Sequence, residues 1–149
     1  MTALSAKVLY TAEVLALATS LADYPLGESR ATLPLRADAR SPTCGSSLTI
    51  GLAVNEAGAI AGIGARVQAC AIGQAAAAIF LNAALGQDTR SIADSERAVA
   101  VWLSGRAGLP DWPGLSLISG AIAYPARHGA ILLPWRAARS ALCSAASGS

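Results

Sequence analysis

The stretch Ser46-Ser47-Leu48-Thr49-Ile50-Gly51-Leu52-Ala53-Val54 alternates, with Leu48, Ile50, Leu52 and Val54 on one face. A period of two describes a half-buried strand. Asn55-Glu56-Ala57-Gly58 follows, a turn-forming group whose Gly supplies a positive φ. Ala59 to Ala69 reads as a second, Gly-rich strand. After Cys70 the period changes: Ala71 to Leu85 reads as a helix, with Gly86 as its C-cap. Strand, turn, strand, helix is the core of the fold. Cys44 and Cys70 flank the turn almost symmetrically, so antiparallel pairing brings both to one open end. Opposed residues in such a ladder have Cα atoms roughly 4.5–5.5 Å apart. Two thiols that close form a metal half-site, a disulfide or a pair of small core residues.

Toward the N-terminus, residues 3–22 carry Val8, Leu9, Ala12, Leu15 and Ala18 at helical spacing, and Tyr24-Pro25-Leu26-Gly27 ends that helix. Ala31 to Arg40 alternates, with Leu33, Leu35, Ala37 and Ala39 on one face; Pro34 argues for an edge strand. Toward the C-terminus, Ser91-Ile92-Ala93-Asp94 resembles a capping box and starts a helix that runs to about Ser104. Leu115 to Ala123 reads as a short apolar helix. Pro125 opens a last helix at the position where a missing N–H costs nothing. Pro134 is expected to kink or break it, and the Ser/Ala/Gly tail from Ser144 to fray. Strands and helices are segregated. The expected fold class is α+β, a three-stranded antiparallel sheet with helices on one face, in one domain spanning 1–149.

Composition narrows the function classes. The net charge of +2 comes from Lys7 and ten scattered arginines against nine acids, with no basic cluster interleaved with aromatics, so nucleic acid is not an expected partner. Glu13 interrupts the apolar N-terminal run, and no signal peptide is expected. Val67 to Gln87 carries no charge and is long enough to span a bilayer. Gln68, Gln74, Asn82 and the abundance of Ala favour a buried core helix instead, and no membrane association is expected. Three cysteines without secretory context argue for reduced thiols and a cytoplasmic location.

Cys70 leads directly into a helix N-terminus, where positive partial charge and unpaired N–H groups favour a thiolate. Cys44 lies beside Gly45, which allows close approach of a ligand. His128, the only histidine, falls in the first turn of the last helix. Two thiolates and an imidazole suit zinc or an iron–sulfur cluster. Gly62-Ile63-Gly64 lacks the third Gly and the helix of a dinucleotide site. No nucleophile-elbow sequence accompanies His128.

Three segments resemble the NifU/IscU-like iron–sulfur cluster assembly scaffolds. Pro42-Thr43-Cys44-Gly45-Ser46 resembles their Pro-x-Cys-Gly-Asp motif. Ala69-Cys70-Ala71-Ile72-Gly73-Gln74-Ala75 is similar to Gly-Cys-Ala-Ile-Ser-x-Ala-Ser. Pro125-Ala126-Arg127-His128-Gly129-Ala130-Ile131-Leu132-Leu133-Pro134-Trp135 is similar to Pro-x-Arg-x-x-Cys-x-x-Leu-x-Trp, after a spacer like that of the SufU branch. The resemblance covers nearly the whole chain. It implies a non-enzymatic scaffold that takes sulfur from a cysteine desulfurase, holds iron or a transient [2Fe-2S] cluster, and delivers it to acceptor proteins.

Two positions depart from that pattern: Ser46 replaces the aspartate and Ala130 the third cysteine. The implied ligands are Cys44, Cys70 and His128, with Ser46 and Arg127 beside them as hydrogen-bonding and anion-holding groups. Bland readings stand next to these: a strand-starting serine, a surface arginine, a capping histidine. Cys143 lies thirteen residues beyond Ala130, roughly 20 Å along a helix, and reads as a packing residue. With two cysteines per chain, a homodimer could share a cluster through four. Two alternatives remain: an adaptor or regulator that has lost assembly, and a zinc-dependent sulfur acceptor using Cys44.

Overall fold

A computed structural model of the chain describes residues 11–29, 31–42 and 45–147, with side chains as far as 144. The elements are α1 (Ala12–Thr19), a 3₁₀ turn (Ser20–Asp23), β1 (Leu35–Arg40), β2 (Ser47–Val54), β3 (Ile60–Gln68), α2 (Ala71–Ala84), α3 (Thr89–Leu103), a 3₁₀ segment (Leu115–Ala123) and α4 (Pro125–Ser147). The expected first helix is present from Ala12, capped by the Thr11 hydroxyl, which accepts the Val14 N–H. Its residues 3–10 lie outside the described ones.

The sheet is antiparallel in the order β1-β2-β3. Leu48, Ile50 and Leu52 are buried on the face that meets the helices, as the alternation requires. The opposite face carries a stripe of glycines. Gly51 and Gly64 are cross-strand partners, and Gly62 pairs with Ala53. Leu33 lies against all three glycines, and the chain at Pro25 and Leu26 covers Gly51 and Gly64. A Cβ at Gly64 would collide with the Pro25 carbonyl. The expectation that Leu33 shares a face with Leu35 is therefore corrected. Pro34 interrupts the alternation, β1 starts at Leu35, and Leu33 crosses to the outer face. Arg36 and Arg66 fasten this covering segment by donating to the carbonyls of Gly27, Ser29 and Leu26.

Three further expectations change along the helices. The box that opens α3 is formed by Asp88 and Ser91, not Ser91 and Asp94. The Asp88 carboxylate accepts the Ser91 N–H at 2.9 Å, and the Ser91 hydroxyl accepts the Asp88 N–H at 2.9 Å. The short helix expected over Leu115–Ala123 is present in 3₁₀ form, with a kink at Ile118. Pro134 does not break α4, which runs unbroken through it. A mid-helix proline costs about 3 kcal/mol, but Leu132, Leu133, Trp135, Ala137 and Ala138 are all buried around it. A fully buried large apolar side chain contributes about 1.5–3 kcal/mol each, enough to outweigh the lost bond. The helix also continues through Ser144 to Ser147, where fraying was expected.

Packing centres on α2 and α4. Helix α4 lies across β1, β2, α2 and α3, while α1 covers α2. The largest core group is aromatic: Phe80 stacks on Trp112 at 5.3 Å and meets Trp135 edge-on at 5.2 Å. Gly86, at φ +87°, ends α2 as expected. Its N–H donates to Ile60 O, and Ile60 N–H donates to Gln87 O. The C-terminal end of α2 is thus tied to the start of β3. No helix among the described residues is long and apolar enough to cross a membrane.

Candidate metal and cluster site

Cys70 is the N-cap of α2, with an extended backbone and a side chain that makes no capping bond. Its carbonyl accepts the Gln74 N–H, and the Gln74 amide donates to Ala69 O at 2.9 Å. Those two bonds fix how the chain enters the helix. The thiol is half-buried and unoxidised. It stands at the positive end of a fourteen-residue helix, where anions are favoured.

Helix α4 crosses α2 at this point. A Cβ on Gly73 would sit 2.7 Å from the Ala69 Cβ, 3.3 Å from the Ala130 Cβ and 3.9 Å from the Cys70 Sγ. Ala130 and the Cys70 thiol therefore border one small space, which Gly73 keeps open by having no side chain. Ala130 is 1% exposed. The contribution of Gly73 escaped sequence reasoning. Its signal was a glycine inside an otherwise strong helical pattern, which commonly marks close approach.

Arg127 lies one turn before Ala130 on the same side of α4. It is half-buried, and its guanidinium bonds to no described residue. His128 is placed differently. Two residues from Ala130, it projects about 200° around the helix. Its Nε2 lies 3.0 Å from Ile122 O. A carbonyl only accepts, so Nε2 carries the hydrogen and Nδ1 is left as an acceptor. This bond joins α4 to the preceding 3₁₀ segment.

Cys44 and Thr43 lie outside the described residues. The chain on either side closes as a hairpin: Ser41 N–H donates to Ser46 O at 2.8 Å, and Gly45 N–H to Ser41 O at 3.0 Å. Ser46 is buried beside Ser41, and both have bonded partners. The β2–β3 register has an irregularity at Ala53/Val54, after which Ser47 pairs with Gln68. The ladder ends there: Gly45, at φ +72°, lies in the turn before β2 rather than in the strand. Cys143 is exposed on the continuous helix α4, which corrects its reading as a packing residue and keeps it remote from Ala130. Among the described residues no group of three His, Cys, Asp or Glu could hold a metal ion.

No family profile and no curated protein sequence matches the chain. Solved structures do. The N-terminal part of a nitrogen-fixing NifU-like protein from Brucella abortus matches with a TM-score of 0.84 and 22% identity, over 97% of this chain and 99% of that one. The chain has the NifU-like fold. A protein from Fervidobacterium islandicum, described as a candidate iron–sulfur cluster assembly scaffold for the SUF system, matches with a TM-score of 0.76 and 17% identity, over 90% and 96%. The expected three-stranded antiparallel sheet with packed helices is this NifU-like architecture.

Proposed function

We propose that this chain is an iron–sulfur cluster assembly scaffold-like protein, a single domain over 1–149, that binds its cargo through Cys44 and Cys70. The observation that carries this reading is the meeting of Cys70 and Ala130 across Gly73. Two segments far apart in sequence, each resembling a scaffold motif, converge on one thiol. The cargo is iron or a transient [2Fe-2S] cluster, with zinc as the other metal that thiolates favour. Sulfur comes from a cysteine desulfurase, and acceptor proteins take the product, by analogy with the NifU-like and SUF-type neighbours. The thiols work reduced, in the cytoplasm.

The donor set is a half-site. Thiolate clusters take four ligands, and Ala130 offers none. His128 donates Nε2–H to Ile122 O, which leaves Nδ1 available as a ligand, although the ring projects to another side of α4 from Ala130. The remaining ligands come from a second copy, a small thiol or a partner's side chain. Arg127, one turn before Ala130 and with no bonded partner for its guanidinium among the described residues, holds an anionic group of the cargo or of incoming sulfur; Ser46 supports the chain that leads to Cys44. The buried Ala130 favours one second reading, an adaptor that keeps the fold and assembles nothing.

Metal and acid-labile sulfide content after anaerobic reconstitution separates them, measured on reduced wild type and Cys44→Ser. Stoichiometric iron and sulfide that vanish in the variant are expected. Zinc alone, lost in the variant, points to sulfur acceptance. No metal in either protein leaves the adaptor.

A further inference from the structure

The opposite end of α2 presents a groove that the thiol site does not use. It has a volume of about 400 Å³ and runs between α3 and the loop that precedes the 3₁₀ segment. One wall is Asp94 and Ala98, one helical turn apart on α3. The other is Pro110, Asp111, Trp112 and Pro113. A second cavity continues it along Arg97, Ala98, Val101, Ala107 and Pro110, so one guanidinium borders that extension but not the main cavity.

The loop wall is rigid. Trp112 donates its indole N–H to Ile79 O at 3.0 Å, stacks on Phe80 and meets Trp135 edge-on. Pro110 and Pro113 fix φ on either side. A preformed wall of this kind reduces the ordering cost of binding. Asp94 and Asp111, one on each wall, form no ion pair or side-chain hydrogen bond with any described residue. No basic residue lines the main cavity. On a chain of net charge +2 this is a local reversal of sign.

We infer that this groove docks an extended segment of a partner protein that presents an apolar side chain beside an arginine or lysine. The apolar group would lie over Ala98 between the two prolines, and the cation between Asp94 and Asp111. Gln87 borders the groove, while Cys70 caps the far end of α2. Fourteen residues of helix set the two sites roughly 20 Å apart, so a bound segment leaves the thiols accessible.

The test is a ¹⁵N NMR titration of the full chain with N-acetyl-leucyl-arginine amide, against N-acetyl-leucyl-glutamate amide. Saturable shifts of the Ala98 and Asp111 amides and the Trp112 indole are expected with the arginine compound only. Asp94→Asn combined with Asp111→Asn should weaken them about fivefold, because two exposed ion pairs are lost. Cys70→Ser should not change them, which separates this inference from the thiol site. An unchanged melting temperature shows that the double variant still folds. Equal response to both compounds, no saturable shift, or an unaffected double variant overturns the inference. Shifts at the groove that grow with protein concentration alone would assign it to a second copy of this chain instead.

Discussion

The two ends of α2 are built to different standards. At its C-terminal end, Phe80, Trp112 and Trp135 interlock, Gly86 and Gln87 bond to β3, and Asp88 caps the next helix. At its N-terminal end small residues meet: Ala69, Gly73 and Ala130 surround one thiol. The first end has enough apolar area to hold the helices against the sheet. The second packs through Ile72 and Ile131, both fully buried, so the half-buried thiol itself carries little of the packing. A NifU-like fold can therefore carry alanine at position 130, because the aromatic core that holds the helices lies at the other end of α2.

The sharpest way to break that division is at the heavy end. Trp135→Ala should cost about 3–5 kcal/mol, the usual range for an aromatic deleted from a core, and a denaturant midpoint measures it. Trp135 is fully buried and its indole N–H has no partner among the described residues. Trp135→Phe should consequently lose much less, since it removes an unsatisfied donor along with some packing. Equal losses in the two variants would mean that the indole N–H has a partner in solution.

At the light end the expected stability change is smaller and the chemical change larger. Ala130→Cys adds one sulfur to the space that Gly73 leaves beside Cys70. Stability should move by less than about 1.5 kcal/mol, as for other modest changes of core volume. Zinc or iron binding by the reduced protein should tighten relative to wild type, because the half-site gains a thiolate. A competition titration against a chromophoric chelator reads this. Unchanged affinity in a folded variant would show that position 130 does not share a metal with Cys70.

Much of this division was legible in the sequence. The alternation from Leu48 to Val54 and the helical run from Ala71 announce themselves because one periodicity dominates each. Pro125 and Gly86 also sit where capping rules place them. What was not legible depends on contacts made later in folding. Leu33 changes face because Pro34 breaks the strand and the outer glycines have room for it. Pro134 is tolerated because its neighbours are buried, a tertiary effect invisible to a local rule. The symmetry of Cys44 and Cys70 assumed a regular ladder, and the irregularity at Ala53/Val54 moves the register by one residue. The candidate site was half legible. Cys70 and the Ala130 position were readable from motif spacing, whereas the part played by Gly73 needed the crossing of α2 and α4.

The smallest effect concerns Asp88, at the heavy end but outside its core. Bonds from the Ser91 backbone and side chain hold this carboxyl below the ordinary carboxylate value. A carboxyl whose folded pKa is depressed binds a proton more readily in the unfolded chain. Its stabilising contribution is therefore complete above the unfolded value and is lost as pH falls through the folded one. Asp88→Asn isolates the charge, since asparagine caps helices about as well as aspartate. Wild type should melt slightly above the variant at neutral pH, and the gap should close as the buffer is taken down through and below the ordinary carboxylate range. Thermal melts at matched ionic strength read this. The charge favours the positive end of α3 and is exposed, so added salt should also narrow the gap. A gap that stays constant with pH would assign the cap's contribution to hydrogen bonding alone. The charge at Asp88 would then have no share in the stability of the heavy end, which would rest on its aromatic core and its bonds to β3.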